Sequence, residues 1–142
     1  MAPSPSGMVP MMHSYSVLLA DDHEMFRREI RKIIEEMAGL RVVGEVGDGQ
    51  ELFELLKRFT PNLVILDISM PNFRAMEATR RIKVDHPEVK VLILIMDKAQ
   101  EYLAQAAAAG AEGCLLKQDT GTKLPAAIEA IRRGGTYLPP FS

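Results

Sequence analysis

The chain has 142 residues, 47% of them apolar and 25% charged, and a formal charge of −2 at neutral pH. That length suits one domain with a sizeable core, and the slightly acidic balance argues against a broad electrostatic nucleic-acid surface. A single cysteine, Cys114, excludes an internal disulfide and a cysteine-based zinc site, and no apolar run approaches the roughly 20 residues of a membrane-spanning helix.

Residues 1–14, MAPSPSGMVPMMHS, are rich in Pro, Ser, Gly and Met and lack the basic and continuous apolar regions of a signal peptide. They are expected to form a flexible tail. "YSVLLAD" (15–21) predicts a strand. A helix follows over 24–37, with Phe26, Ile30, Ile33, Ile34 and Met37 at helical spacing. "LRVVGEV" (40–46) predicts a second, more polar strand. "GQELFELLKRF" (49–59) predicts a helix stopped before Pro61, and "NLVILD" (62–67) a third strand. A helix over 75–86 ends at Pro87, and "VKVLILIM" (89–96) is a fourth strand. The Ala-rich stretch 99–110 predicts a helix closed by Gly110, and 113–117 a short fifth strand. The last helix is expected over Lys123 to Arg133, with Thr122 as its N-cap and Gly134 as its stop.

Five βα units in series, with nearly continuous apolar strands, imply a parallel sheet covered on both faces. The expected class is α/β, a flavodoxin-like (βα)5 doubly wound sheet of strand order 2-1-3-4-5 with right-handed crossovers. One domain would occupy 15–134. Residues 135–142 read as the stub of a C-terminal linker, with any output domain absent from this sequence.

In such a sheet, ligands bind outside the carboxyl ends of the strands. Strand one ends in Asp21-Asp22, strand three in Asp67, strand four near Ile95-Met96-Asp97, and strand five in Lys117. Three carboxylates should therefore share one rim with an ammonium. Clustered carboxylates repel, and a divalent cation relieves that cost. Oxygen-only ligands suit Mg²⁺, which also takes a phosphate oxygen. Asp67 is then the candidate nucleophile toward a phosphoryl group, since carboxylates form acyl phosphates. Mg²⁺ and Lys117 would offset the charge on the transferred group. Taken singly, an Asp pair before a helix is commonly a cap, and a strand-end Asp a turn former. Their joint placement on strands one, three and five favours the chemical reading.

"LLADDHEMFR", "PNLVILDISMP" and "GAEGCLLK" together resemble the response-regulator receiver domains of two-component signalling. "ADDH", "EATRRI" and "GGTYLPP" resemble their NarL/LuxR-type subfamily. The resemblance implies that Asp67 accepts a phosphoryl group from a sensor histidine kinase. It implies that Asp22 holds Mg²⁺ directly, Asp21 largely through water, and Ser69 through its backbone carbonyl. Lys117 would pair with a phosphoryl oxygen. It further implies a cytoplasmic signalling protein without turnover of an external substrate, and a homodimer. DNA binding would come only through a C-terminal helix-turn-helix domain that this sequence does not contain.

Two positions depart from the family pattern. Ile95 stands where a Ser or Thr hydroxyl normally bonds the phosphoryl group, and Cys114 where a Tyr or Phe normally stands. These are the switch positions, so coupling of phosphorylation to shape is expected to be weakened or replaced. A degenerate receiver, serving as a phosphorylation-independent interaction or dimerisation module, is the alternative. An aspartyl-nucleophile phosphatase is disfavoured by Ser69, which stands where such enzymes need a second acid. A flavin carrier is disfavoured by the acids after strand one. Ala75 replaces a common Gly. His23 reads as a solvent-facing helix start, Cys114 as an inert small hydrophobe, and Arg80, Arg81, Arg132 and Arg133 as solvated helix faces. Tyr102, Ala106, Ala109, Ile128 and Ile131 are expected to leave an apolar patch for a partner.

Overall fold

The computed structural model describes residues 14–71, 73–96 and 100–138. Along them run β1 (Tyr15–Ala20), α1 (Glu24–Glu35), β2 (Leu40–Val46), α2 (Gly49–Arg58) and β3 (Leu63–Asp67). There follow α3 (Ala75–Asp85), β4 (Lys90–Ile95), α4 (Gln100–Ala109), β5 (Gly113–Leu116), a 3-10 turn (Lys117–Asp119) and α5 (Thr120–Arg132). Every strand pairing is parallel, in the order β2-β1-β3-β4-β5. The expected tail before Ser14, Asp97 and residues 139–142 lie outside the described residues.

Alternation along the strands builds two apolar layers. Leu63 and Ile65 of β3 join Ile30 and Ile34 of α1 and Ala127, Ile128 and Ile131 of α5 on one face. Val64 and Leu66 join Leu52 and Leu56 of α2, Ile82 of α3 and Ala106 of α4 on the other. All five residues of β3 are buried, so this central strand leaves no polar face for solvent. Each fully buried Leu or Ile stabilises the fold by about 1.5–3 kcal/mol relative to exposure. That burial is what carries the carboxylate of Asp67 to a position with no solvent exposure.

The helix ends have local causes. Asp48 caps α2 by accepting a hydrogen bond from the Glu51 N–H at 2.8 Å. Gly110, at φ +97°, ends α4 where a side chain would be strained. At the opposite edge of the sheet from the strand ends, Lys83 of α3 donates to Glu112 at 2.6 Å and to the Val89 carbonyl at 3.0 Å. Glu112 also accepts from the Val91 N–H at 2.9 Å. This half-buried pair ties α3 to the entry of β5.

Several expectations are corrected. The last helix begins at Thr120 and grows directly out of the 3-10 turn, carrying Pro125 within it. Thr122 is no cap: its hydroxyl donates to the Asp119 carbonyl at 3.3 Å. Pro125 is the sixth residue of the helix, so the Gly121 carbonyl goes without the N–H it would otherwise accept from. Strand β5 ends at Leu116, one residue before Lys117. The expected apolar patch is not at the surface, since Ala106, Ala109, Ile128 and Ile131 are all buried. They are the inward stripes of α4 and α5. Arg132 is not a solvated residue either. Its guanidinium donates to the Ala38 carbonyl at 3.1 Å and lies 5.6 Å over the Tyr15 ring, pinning α5 to the turn before β2.

Beyond α5 the chain returns to the sheet. Tyr137 N–H donates to the Glu112 carbonyl at 2.8 Å, and the Tyr137 carbonyl accepts from the Cys114 N–H at 2.9 Å. This covers the outer edge of β5 at Gly113. A Cβ on Gly113 would lie 2.6 Å from Leu92 Cδ1 and 2.8 Å from Ile131 Cδ1. Gly113→Ala is therefore expected to destabilise the domain by about 1–3 kcal/mol through overpacking, measured as a lower denaturant midpoint at unchanged slope.

Candidate functional site

The sheet register assembles the site. Ala20 pairs with Leu66, so the next residue on each strand, Asp21 and Asp67, emerges beside its neighbour. Ile95 at the end of β4 pairs with Leu116, and Lys117 follows at once. Lys117 extends back across the strand ends, and its Nζ lies 3.1 Å from Asp21 Oδ2 and 3.3 Å from Asp67 Oδ2. The contact with Asp67 is a hydrogen bond. That with Asp21 is an ion pair held off the hydrogen-bond direction, and Asp21 Oδ2 accepts no hydrogen bond although it is buried.

The other oxygens are held locally. Asp21 Oδ1 accepts from the His23 N–H at 2.8 Å. The acid pair is thus a turn that introduces α1, not its side-chain cap; exposed His23 occupies the cap position without such a bond. Asp67 Oδ1 accepts from the Ser69 N–H at 3.1 Å. The Ser69 hydroxyl sits 2.9 Å from Asp67 Oδ1 and 3.1 Å from Oδ2, and its one proton serves either. Asp22 is exposed, yet one of its carboxylate oxygens lies with one from Asp21 and one from Asp67 in a group within 4.8 Å of one another.

Burial raises the pKa of Asp21 above the usual carboxylate range, and the negative charge of Asp67 adds to the effect. The His23 N–H and the Lys117 ammonium oppose it. Three carboxylates face one ammonium, which leaves two negative charges at the rim when all are ionised. An oxygen-only donor set with that residual charge, and a buried oxygen lacking a hydrogen bond, fits a hard divalent cation such as Mg²⁺.

Two residues of this site gave no signal as such in the sequence. Arg27, one turn into α1, donates through Nη1 to the carbonyls of Asp21 at 2.7 Å and Val46 at 3.2 Å. Its Nε donates to Glu45 at 3.1 Å. It locks the backbone that presents the acids, though its spacing reads only as the polar side of a helix. Phe26 lies under the Lys117 ammonium, 4.4 Å from Nζ to the ring centroid. Ile95 and Cys114 are fully buried in the layer beneath α2, α3 and α4. Burial pushes the Cys114 thiol up to about 11, so it remains a protonated, inert side chain.

Residues 17–129 match the response regulator receiver domain. The chain belongs to the response-regulator receiver family. Among relatives, the receiver is 32% identical over 124 residues to the transcriptional regulatory protein DegU of Brevibacillus brevis, covering 87% of this chain and 52% of that protein. It is 34% identical over 123 residues to the response regulator UvrY of Escherichia coli K12, covering 87% and 56%. The isolated receiver domain of RcsB from Salmonella enterica serovar Typhimurium, solved with the phosphomimetic BeF3−, superposes with a TM-score of 0.82 at 30% identity. That match covers 89% of this chain and 94% of the other. The chain spans about half the length of the curated relatives it matches. The LuxR/NarL-type resemblance, the strand order and the receiver class all stand. No helix of the described residues is long and apolar enough to cross a membrane.

The raised pKa of Asp21 gives a signed prediction. Its folded-state pKa lies above the unfolded one, so the folded state binds the proton more tightly. Stability is then lost as pH rises from the unfolded pKa through the folded one, and the loss is complete above both. Asp21→Asn removes that loss. It is expected to raise the thermal midpoint by a few degrees at pH 7 without Mg²⁺, a gain that shrinks as pH falls below the carboxylate range. Calorimetry across pH checks it.

Proposed function

We propose that the receiver accepts a phosphoryl group on Asp67 from the phosphohistidine of a sensor histidine kinase and thereby regulates an output, which is transcription. The carrying observation is the placement of Asp67 between Ser69 and Lys117, with Asp21 and Asp22 grouped beside it. An Asp67 carboxylate oxygen attacks phosphorus, the phosphorus–nitrogen bond to the donor imidazole breaks, and its electron pair leaves with the imidazole nitrogen. The product is a mixed anhydride on Asp67.

Asp21, Asp22, Asp67 and the backbone carbonyl of Ser69 are the residues that would hold Mg²⁺. The ion, when bound, offsets negative charge on the phosphoryl oxygens. Lys117 Nζ, already hydrogen-bonded to Asp67, is placed to pair with an oxygen of the incoming group. Ser69 aligns the attacking carboxylate through its N–H and hydroxyl. Arg27 keeps the acid-bearing turn in place through the Asp21 carbonyl.

In the longer proteins of this family, such a domain would govern DNA binding through a helix-turn-helix unit following a linker. Residues 1–14 would be a tail, 15–134 the receiver, and 135–142 the start of that linker. The modified domain would work in the cytoplasm and as a homodimer. Acetyl phosphate with Mg²⁺ should add one phosphoryl group, seen by intact mass, and Asp67→Asn should abolish the adduct. An unmodified wild-type chain would refute the proposal.

The switch differs from the family pattern. With Ile95 and Cys114 both buried in apolar surroundings, neither a hydroxyl nor an aromatic ring at these positions can respond to the new charge. A two-state equilibrium shifts only through contacts that differ between the states. Ile95→Thr supplies the missing donor, and a charge-assisted hydrogen bond contributes about 1.5–3 kcal/mol. The variant should show a larger beryllofluoride-induced change in α4 and β5 amide shifts than the wild type, at some cost in unmodified stability from the buried hydroxyl. Equal shift changes in the two proteins would mean that Ile95 does not limit the switch.

A further inference from the structure

The Lys117 side chain is 12% exposed, and its ammonium meets three groups. Two are the carboxylates of Asp21 and Asp67, and the third is the face of Phe26. Phe26 stands in the first turn of α1, directly after the acids, and its ring packs on the layer formed with α5. The exposed His23 imidazole lies nearly parallel to it, at 6.5 Å between centroids and 14° between planes. The ring is therefore held on the core layer beside the ammonium.

A lysine has a flexible four-carbon stem and a strongly hydrated head. Left to carboxylates alone, it would keep water on its third side and exchange between positions. A π-face there attracts the cation electrostatically and excludes that water, and the attraction is strongest where the cation is desolvated. Nζ is also 3.3 Å from Asp67 Oδ2, so a phosphoryl group attached to that carboxylate arrives within reach of an ammonium that has not left the ring.

We infer that Phe26 is a positioning residue of the phosphoacceptor site, holding the Lys117 ammonium by a cation–π contact in the place where it meets the phosphoryl group. This rests on the phosphoacceptor reading of Asp67. The same contact also exists before any phosphoryl group binds, so it is testable apart from that reading.

The test replaces Phe26 in the full chain with mono-, di- and trifluorophenylalanine, which weaken the π-face with little change in volume. Two quantities are read: the affinity for beryllofluoride in the presence of Mg²⁺, and the ring-current shift of the Lys117 Hε protons in the unmodified protein. Affinity should fall stepwise with fluorination, reaching about tenfold for the trifluoro ring, and Phe26→Leu should lose as much. Phe26→Trp should restore it. The Lys117 Hε protons should resonate upfield in the wild type and return to ordinary values in Phe26→Leu. Affinities that are equal across the fluorinated series, with unchanged melting temperatures, would overturn the inference. So would unshifted Lys117 protons in the wild type. A wild type that binds no beryllofluoride refutes the phosphoacceptor reading instead, and the Lys117 shift then decides whether the cation–π contact stands.

Discussion

The structure depends on one ammonium shared by two buried carboxylates. Lys117 reaches over the ends of β4 and β3 to stand between Asp67 and Asp21. Without it, two acids with 0% and 2% exposure would face each other with little to compensate their charge. Burying even one unpaired carboxylate costs several kcal/mol, so the pairing is what permits the apolar strands to carry acids to their tips. The pairing is incomplete: one positive charge is set against three negative ones, and that deficit is what a divalent cation can address.

The rest of the fold serves that geometry. Parallel pairing with Ala20 opposite Leu66 and Ile95 opposite Leu116 brings the acids and the lysine to one rim although they are far apart in the chain. Two apolar layers, one on each face of the sheet, hold the strands that carry the rim. Arg27 fastens the acid turn to the end of β2, and Ser69 fastens the Asp67 carboxylate from the following loop. The cysteine and isoleucine beneath the rim continue the apolar layer to its edge. Neither side chain offers a hydroxyl or an aromatic ring toward the rim.

The segment after α5 adds a second connection. Tyr137 is hydrogen-bonded on both sides to the backbone of Glu112 and Cys114, so the segment after α5 runs along the edge of β5. Any movement of β5 would be felt there through two main-chain hydrogen bonds. Side-chain identity at Cys114 matters less to this link than the strand's own position.

By itself, the sequence determined the alternation of apolar strands and amphipathic helices, and hence the parallel sheet and the strand order. Those follow from local periodicity and from topological rules that need no side-chain detail. It also determined which acids and which lysine end the strands, because in such a sheet the C-terminal tips share a rim. Element ends were legible where Pro or Gly marked them, as at Pro61, Pro87 and Gly110. Thr122 misled because a capping residue type says nothing about whether a preceding turn has already started the helix. Only the tertiary structure decided that Ala106, Ala109, Ile128 and Ile131 face inward, since small and branched residues at helical spacing read alike on either side of a helix. It alone drew Arg132, Arg27 and Phe26 into named contacts. Apart from the Asp21 carbonyl held by Arg27, their partners lie on other elements, and a contact made across the fold leaves no local pattern along the chain.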